Sequence, residues 1–159
     1  MMTDVKPIHR SVRVPLGPDE AFELFTTRMD TWWPREHSRA SEELADQGVH
    51  LVRVEFPTRV GGQVLEHLSD GRTLPWAELL AWDPPHGFTM AWKPNPRPQP
   101  PTEVEIRFTP VDGGTLVELE HRGWERLTES IAPEIYRNYS GGWISTLEAF
   151  AAAAERGVA

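Results

Sequence analysis

Three ionisable side chains are predicted to lie among apolar neighbours, where they could bind a ligand or support acid–base chemistry. Each belongs to a strand-like run, and every second residue of a strand lies on the same face. The three side chains and their same-face neighbours are Glu66 with Val64 and Leu68, Glu78 with Leu74, Trp76, Leu80 and Trp82, and His121 with Val117 and Leu119. This alternation predicts that all three point toward the protein interior.

A buried charge is costly unless it is paired, so each of these side chains needs a partner. In one interpretation, arginine, lysine or backbone groups at the strand ends satisfy them, and their role is structural. In the other, they make polar contacts inside a ligand cavity. The residues leave both interpretations open. We predict that Glu66 and His121 orient a ligand rather than take part in turnover.

Tryptophan is unusually frequent, with seven residues against six phenylalanines and two tyrosines. A few very large side chains must therefore build much of the interior. We predict that Trp76, Trp92 and Trp143 line a cavity, with Leu147 one helical turn after Trp143. Trp32 and Trp33 precede Pro34, and they either cover the mouth of that cavity or anchor the early helical segment in the core.

Several kinds of chemistry find no support in the residue pattern. The six histidines include no pair spaced three or four apart, and there is no cysteine, so we predict no metal site and no cofactor. No Gly-x-Ser-x-Gly elbow is present, and Gly61-Gly62 lacks the lysine and the serine or threonine of a phosphate-binding loop. Nucleophilic and nucleotide chemistry are therefore not expected.

The elements that must position these side chains are mostly strands joined by short turns. Gly, Pro and Asp clusters separate alternating runs, which is typical of an antiparallel meander. Pro18 and Asp19 open a short helix that ends near Phe25, and Lys93–Pro101 is predicted to be an extended loop. The predicted strands are His9–Pro15, Val49–Phe56, Gln63–Leu68, Leu74–Trp82, Phe88–Trp92, Thr102–Thr109 and Thr115–Arg122.

From Ser130 onward the apolar residues return to helical spacing, which predicts a long amphipathic C-terminal helix. Gly141 and Gly142 either break this helix or allow close packing. The expected fold class is α+β, with a curved antiparallel sheet wrapped around the last helix. A cavity between the two is expected because one helix cannot fill the concave face.

Length and charge limit the remaining classes of function. The 159 residues are expected to form one domain, 1–159. A net charge of -8 argues against nucleic-acid binding, which depends on clustered lysine and arginine. No segment approaches the length of a membrane span or resembles a signal peptide, and the absence of cysteine is typical of a reducing compartment. We therefore predict a cytoplasmic protein whose partner is a small molecule.

The order and spacing of several motifs resemble bacterial single-domain members of the START/Bet v 1-like (SRPBCC) superfamily. The similar branch is the one named for the activator of Hsp90 ATPase, and the resemblance covers nearly the whole chain. Its main motifs are Trp32-Trp33-Pro34, Val60-Gly61-Gly62, Trp76-Ala77-Glu78, Trp82-Asp83-Pro84-Pro85 and Glu120-His121-Arg122-Gly123-Trp124-Glu125.

This resemblance implies the helix-grip fold, in which an antiparallel sheet grips a long C-terminal helix around a ligand cavity. The superfamily includes lipid carriers, hormone receptors, polyketide cyclases and co-chaperone domains, so the fold alone does not select a function. We predict a binding protein for an apolar or amphipathic small molecule. A cyclase or lyase that uses a cavity Glu or His is the alternative, and a co-chaperone module is third.

The predicted ligand-binding residues are Trp32, Trp33, Glu66, Trp76, Glu78, Trp92, His121, Trp143 and Leu147, and no catalytic residue is assigned. We expect no chaperone partner, and the formation of a homodimer is left open.

Overall fold

The computed structural model describes residues 6–35, 44–92, 101–124 and 132–157. Strands form seven of its elements and α-helices form two. In chain order they are β1 (Ile8–Val14), α1 (Pro18–Phe25), β2 (Leu51–Glu55), β3 (Gln63–Leu68), β4 (Thr73–Asp83), β5 (Gly87–Trp92), β6 (Thr102–Val111), β7 (Gly114–Arg122) and α2 (Ala132–Arg156). Short 3-10 turns occupy Met29–Thr31 and Ala45–Gln47.

All seven strands belong to one curved antiparallel sheet with the order β1-β7-β6-β5-β4-β3-β2. Strands β2 to β7 follow one another as a meander, and β1 closes the order by pairing with β7. Helix α2 packs near β1 and α1, on the face that carries the buried side chains. The predicted α+β class and the sheet-on-helix arrangement are confirmed.

Alternating burial sets the two faces of the sheet, as the sequence predicts for β6 and β7. In β7 every second residue from Thr115 to His121 is buried, while the glutamates between them are only partly buried. In β6 the same alternation buries Val104, Ile106 and Phe108. One face of the sheet therefore supplies the core, and the other carries the charges.

Helix α1 begins where the sequence predicts because Pro18 occupies its first turn and Asp19 and Glu20 follow at the positive end of the helix dipole. Its buried face carries Phe22 and Phe25. These rings meet Phe88 and Phe108 of the sheet, and Phe25 also meets Phe150 of α2, with centroids 4.9 Å apart. This phenylalanine cluster joins both helices to the sheet.

The predicted loop over Lys93–Pro101 lies outside the described residues except for Pro101, and so does Ser130, the predicted first residue of the last helix. Helix α2 runs without a break through Gly141 and Gly142. Apart from the backbone of the helix itself, a Cβ atom added at either glycine would meet no atom of the described residues within 4 Å. These glycines therefore neither break the helix nor serve close packing.

We expect Gly141→Ala to raise the free energy of unfolding by about 1 kcal/mol, because alanine has the higher helix propensity and the added methyl meets no neighbour. Urea denaturation measures the change. Gly114→Ala is the matched control with the opposite sign, because its Cβ would overlap the carbonyl oxygen of Val14. A loss of stability in Gly141→Ala would contradict the prediction.

Candidate ligand-binding site

Five aromatic side chains from the sheet, α2 and the segment after α1 come together on the inner face; we call them the aromatic site. Trp76 lies in β4, Trp92 ends β5, Trp33 follows the 3-10 turn at Met29–Thr31, and Tyr139 and Trp143 lie one turn apart on α2. The four tryptophans among them are buried, and Tyr139 is half-buried. Four parts of the chain thus contribute to one aromatic surface.

The rings of the aromatic site make direct contacts around Trp92. Trp76 lies edge-on to it with centroids 4.8 Å apart, and Trp143 lies at 5.1 Å on the helix side. Trp33 stacks on Trp76 at 5.0 Å with planes inclined by 24°, and Tyr139 reaches Trp92 at 6.2 Å. Flat faces and ring edges of this kind favour contact with another planar, apolar group.

Two N–H groups of the aromatic site are buried without a hydrogen-bond acceptor. Within the described part of the chain, neither Trp76 Nε1 nor Trp92 Nε1 finds a partner. A buried indole N–H normally has one, and leaving it unpaired costs about 1 to 3 kcal/mol. These two donors are therefore available to a ligand that brings an acceptor.

The adjacent tryptophans Trp32 and Trp33 pack against different sets of side chains. Trp32 packs into the phenylalanine cluster, 5.2 Å from Phe25 and 5.3 Å from Phe150, and its Nε1 donates a 2.7 Å hydrogen bond to the carbonyl oxygen of Leu24. Trp33 instead joins Trp76. Trp32 thus has the anchoring role that the sequence left open, whereas Trp33 contributes a face to the site.

His121 is buried with an exposed fraction of 0%, and both of its ring nitrogens are used within the protein. Trp143 Nε1 donates to His121 Nδ1 at 2.9 Å, and His121 Nε2 lies 2.7 Å from Thr102 Oγ1. An indole nitrogen can only donate, so Nδ1 must be the acceptor and Nε2 must carry the proton. The threonine hydroxyl therefore accepts from His121, which leaves its own proton for the carbonyl oxygen of Trp92 at 3.4 Å.

Burial lowers the pKa of His121 from 6.5 to about 3, because the charged imidazolium would lose its hydration. The neutral ring links α2 to the start of β6, since it bonds Trp143 on one side and Thr102 on the other. The prediction that His121 faces the interior agrees with the structure. Its two hydrogen bonds hold Trp143 and Thr102 in place. Neither ring nitrogen is left to bond a ligand directly.

Glu66 is also interior, with an exposed fraction of 1%. It pairs across the sheet with Leu74 of β4, and Trp76 lies two residues further along that strand on the same face. Glu66 therefore lies on the inner face of β3, across from the part of β4 that carries Trp76, and its burial agrees with the alternation in β3.

The prediction that Glu78 points inward is wrong. Two irregularities in β4 reverse the alternation between Trp76 and Leu80: Val64 and Leu65 of β3 pair with Ala77 and Pro75, and Leu79 and Ala81 pair with Met90 and Thr89 of β5. The extra residue at each bulge shifts the following side chains to the other face. Trp76, Ala77 and Leu79 are consequently buried, and Glu78 is exposed.

Leu147 is buried, as predicted, one turn after Trp143 on α2. The sequence did not select three residues that surround His121: Thr102, Trp124 and Tyr139. Trp124 lies 4.3 Å from the imidazole ring and donates its N–H to the His121 carbonyl oxygen at 3.0 Å, and Tyr139 lies 5.1 Å from the ring. The motif Glu120–Glu125 contained a signal for Trp124, but contacts across the sheet were needed to find Thr102.

The opposite face of the sheet carries a charged network. Arg122 bonds Glu105 at 2.7 Å, Glu120 at 2.8 Å and Glu103 at 3.1 Å. These hydrogen bonds, led by that of Glu105, raise the pKa of Arg122 above its usual value. The charges are thus concentrated on the face away from the aromatic site.

In the described segments, no helix is long and apolar enough to cross a membrane. The same residues contain no group of three or more His, Asp or Glu side chains placed to hold a metal ion.

Comparison with protein families decides the relationship of the chain. The model for activator of Hsp90 ATPase homolog 1-like proteins matches residues 16–155. The chain belongs to this family. It is accordingly a member of the SRPBCC superfamily, as the motifs suggested. A comparison with curated protein sequences gives no match.

Solved structures agree with the helix-grip fold. MLL2253 from Mesorhizobium loti is 18% identical with a TM-score of 0.64, and the match covers 95% of this chain and 98% of that one. CV1439 from Chromobacterium violaceum is 19% identical with a TM-score of 0.66 over 95% and 99%. The anthrahydroquino-γ-pyrone synthase Txn09, solved in complex with SUM, is 31% identical with a TM-score of 0.51 over 74% and 77%. Family and fold together support a ligand-binding or polyketide cyclase-like domain.

Proposed function

We propose that this family member binds a planar, mostly apolar small molecule at the aromatic site. The observation that carries the proposal is the pair of buried, unpaired indole N–H groups of Trp76 and Trp92 beside stacked rings. A protein core normally satisfies such donors, whereas a ligand site keeps a few polar groups among apolar walls.

The side chains of the aromatic site are also held in place in the absence of a ligand. The hydrogen bonds from Trp143 to His121 and from His121 to Thr102 fix the helix side of the site. Stacking between Trp33 and Trp76 fixes the opposite side. Because these side chains are already ordered, binding loses little conformational entropy, which favours affinity.

A cyclase-like activity is the second candidate, and the likeness to Txn09 favours it. That protein is named as a synthase of an anthrahydroquino-γ-pyrone, and it is 31% identical to this chain. A reaction of that type needs a shaped aromatic cavity and a group that moves a proton. Glu66 is the residue we assign to the proton transfer, because it is a buried acid on the strand that pairs with the Trp76 strand.

Activation of a chaperone ATPase is not part of the proposal. The exposed large apolar side chains of the described residues are Val52, Val60, Leu80 and Ile144, which lie on four different segments. Stable protein interfaces usually need a contiguous area of about 1,200 to 2,000 Å² in total.

The test is a titration followed by tryptophan emission and by thermal unfolding. We expect naphthalene-sized and larger planar probes to quench emission and to raise the Tm, because they would contact Trp33, Trp76 and Trp92. Dodecanoate, which is flexible and has no ring, is expected to bind more weakly.

Two variants locate the binding. Trp33→Ala removes the face stacked on Trp76 and is expected to weaken planar probes at least fivefold. Trp82→Phe is the matched control, because Trp82 packs with Phe22 outside the aromatic site. Flat emission and an unchanged Tm with every probe would overturn the proposed function.

A further inference from the structure

We propose that the site selects ligands that carry a carbonyl oxygen, which accepts hydrogen bonds from the indole N–H groups of Trp76 and Trp92. The inference rests on the proposed function and adds the polarity of the ligand. It follows from the two buried N–H donors that have no acceptor, rather than from the apolar surface of the site.

The two donors differ from three other buried indoles, those of Trp32, Trp124 and Trp143. Trp32, Trp124 and Trp143 donate their N–H groups to the Leu24 oxygen, the His121 oxygen and His121 Nδ1 at 2.7 to 3.0 Å. Trp76 and Trp92 instead combine burial above nine-tenths with a ring N–H that is left without an acceptor in the described segments. The fold therefore satisfies its structural indoles and leaves these two available.

His121, an acceptor on the Trp92 side of the site, is already in use. His121 lies 6.3 Å from Trp92 between ring centroids, but its Nδ1 accepts from Trp143 and its Nε2 donates to Thr102. An indole ring has no lone-pair acceptor, so Trp76 and Trp92 can offer each other at most a weak contact with a ring face. In the inferred complex, the bound molecule supplies the acceptor oxygen.

The two donors lie close enough for one small molecule to serve both. Trp92 is the last residue of β5 and pairs with Ala77, the residue next to Trp76 in β4. Their ring centroids are 4.8 Å apart with planes at 72°. A carbonyl oxygen has two lone pairs, so a planar fused-ring ketone that directs its oxygen between the two indoles can accept from both N–H groups.

A carbonyl fits this environment better than a hydroxyl or an amine. A carbonyl oxygen accepts without carrying a proton that needs a further acceptor, whereas a ligand N–H would add a third donor to a site with two unpaired donors. An unpaired buried donor is costly, so the site discriminates against such ligands.

Three planar tricyclic probes of nearly equal size test this polarity: fluorene carries a CH₂ group, 9-fluorenone a carbonyl and carbazole an N–H at the same position. Affinities are measured by isothermal titration calorimetry on the full chain at pH 7. We expect 9-fluorenone to bind about tenfold more tightly than fluorene, and carbazole to bind no better than fluorene. Burial of apolar area alone predicts the reverse order for fluorene and fluorenone.

Trp76→Phe and Trp92→Phe then assign the donors, because each keeps a ring and removes an N–H. We expect the preference for fluorenone over fluorene to fall threefold or more in at least one variant, while Trp82→Phe leaves it unchanged. This preference is the ratio of two affinities measured on the same protein. A general loss of packing in a variant weakens both ligands alike and therefore largely cancels in the ratio. A variant that fails to fold leaves the comparison on the unmodified chain as the test.

Two failures are distinguishable. If none of the three tricyclic probes binds, the proposed function itself fails. If fluorene binds as tightly as fluorenone, or if the preference survives unchanged in both indole variants, binding stands and the carbonyl inference is overturned.

Discussion

His121→Phe is expected to lower the free energy of unfolding at pH 7 by about 2 to 4 kcal/mol. The imidazole accepts from Trp143 Nε1 and is bonded to Thr102 Oγ1, and phenylalanine can do neither. Two buried polar groups would lose their partner, at about 1 to 3 kcal/mol each before relaxation. Urea denaturation followed by far-UV circular dichroism measures the difference.

The size of this loss should depend on pH in a defined direction. The pKa of His121 falls to about 3 in the folded protein from 6.5, so below pH 6.5 the unfolded chain binds a proton that the folded chain does not. The wild type therefore loses stability as the pH falls from about 6.5 toward 3, by up to about 1.4 kcal/mol per pH unit from this residue. His121→Phe has no imidazole at this position, so it lacks this pH-dependent loss of stability.

The gap between wild type and His121→Phe should accordingly narrow on acidification. His86→Gln is the control, because His86 is exposed and its removal leaves the His121 contribution in place. A gap that stays constant from pH 7 to pH 4.5 would show that His121 is not buried as a neutral ring. The side chains that surround it, Thr102, Trp92, Trp124, Tyr139 and Trp143, carry no charge in this range.

Strand alternation predicted His121 and Glu66 correctly but failed for Glu78, and the reason is local. In β7 the pairing with β1 and β6 is continuous, so a period of two holds from Thr115 to His121. Strand β4 has one extra residue relative to each neighbouring strand, Trp76 relative to β3 and Leu80 relative to β5. A bulge is defined by the pairing between two strands, so it cannot be predicted from the alternation of residues within one strand.

The chemical role of His121 was beyond the sequence for a related reason. Its interior position follows from its own strand, but its partners come from β6 and α2, which lie 19 and 22 residues away along the chain. Likewise, Trp32 and Trp33 are adjacent in sequence, yet one ring enters the phenylalanine cluster and the other enters the aromatic site. The residue types indicated an aromatic interior. Which aromatic side chains support the core and which form the proposed binding surface could be seen only from the packing of the folded chain.

Trp92→Ala is expected to cost about 3 to 5 kcal/mol of unfolding free energy, the range for removal of a large buried aromatic side chain. Trp92 is 5% exposed and contacts the rings of Trp33, Trp76, Tyr139 and Trp143. Its loss would leave a space enclosed by ring faces, which is apolar and therefore suited to a small aromatic guest.

Free indole should then stabilise Trp92→Ala more than the wild type, because the guest refills the space that the side chain vacated. The measurement is the Tm of both proteins with increasing indole. Leu80→Ala is the control, since Leu80 is 42% exposed and its truncation creates no enclosed space. A cost below about 1 kcal/mol, or equal stabilisation of variant and wild type by indole, would contradict a packed aromatic site centred on Trp92.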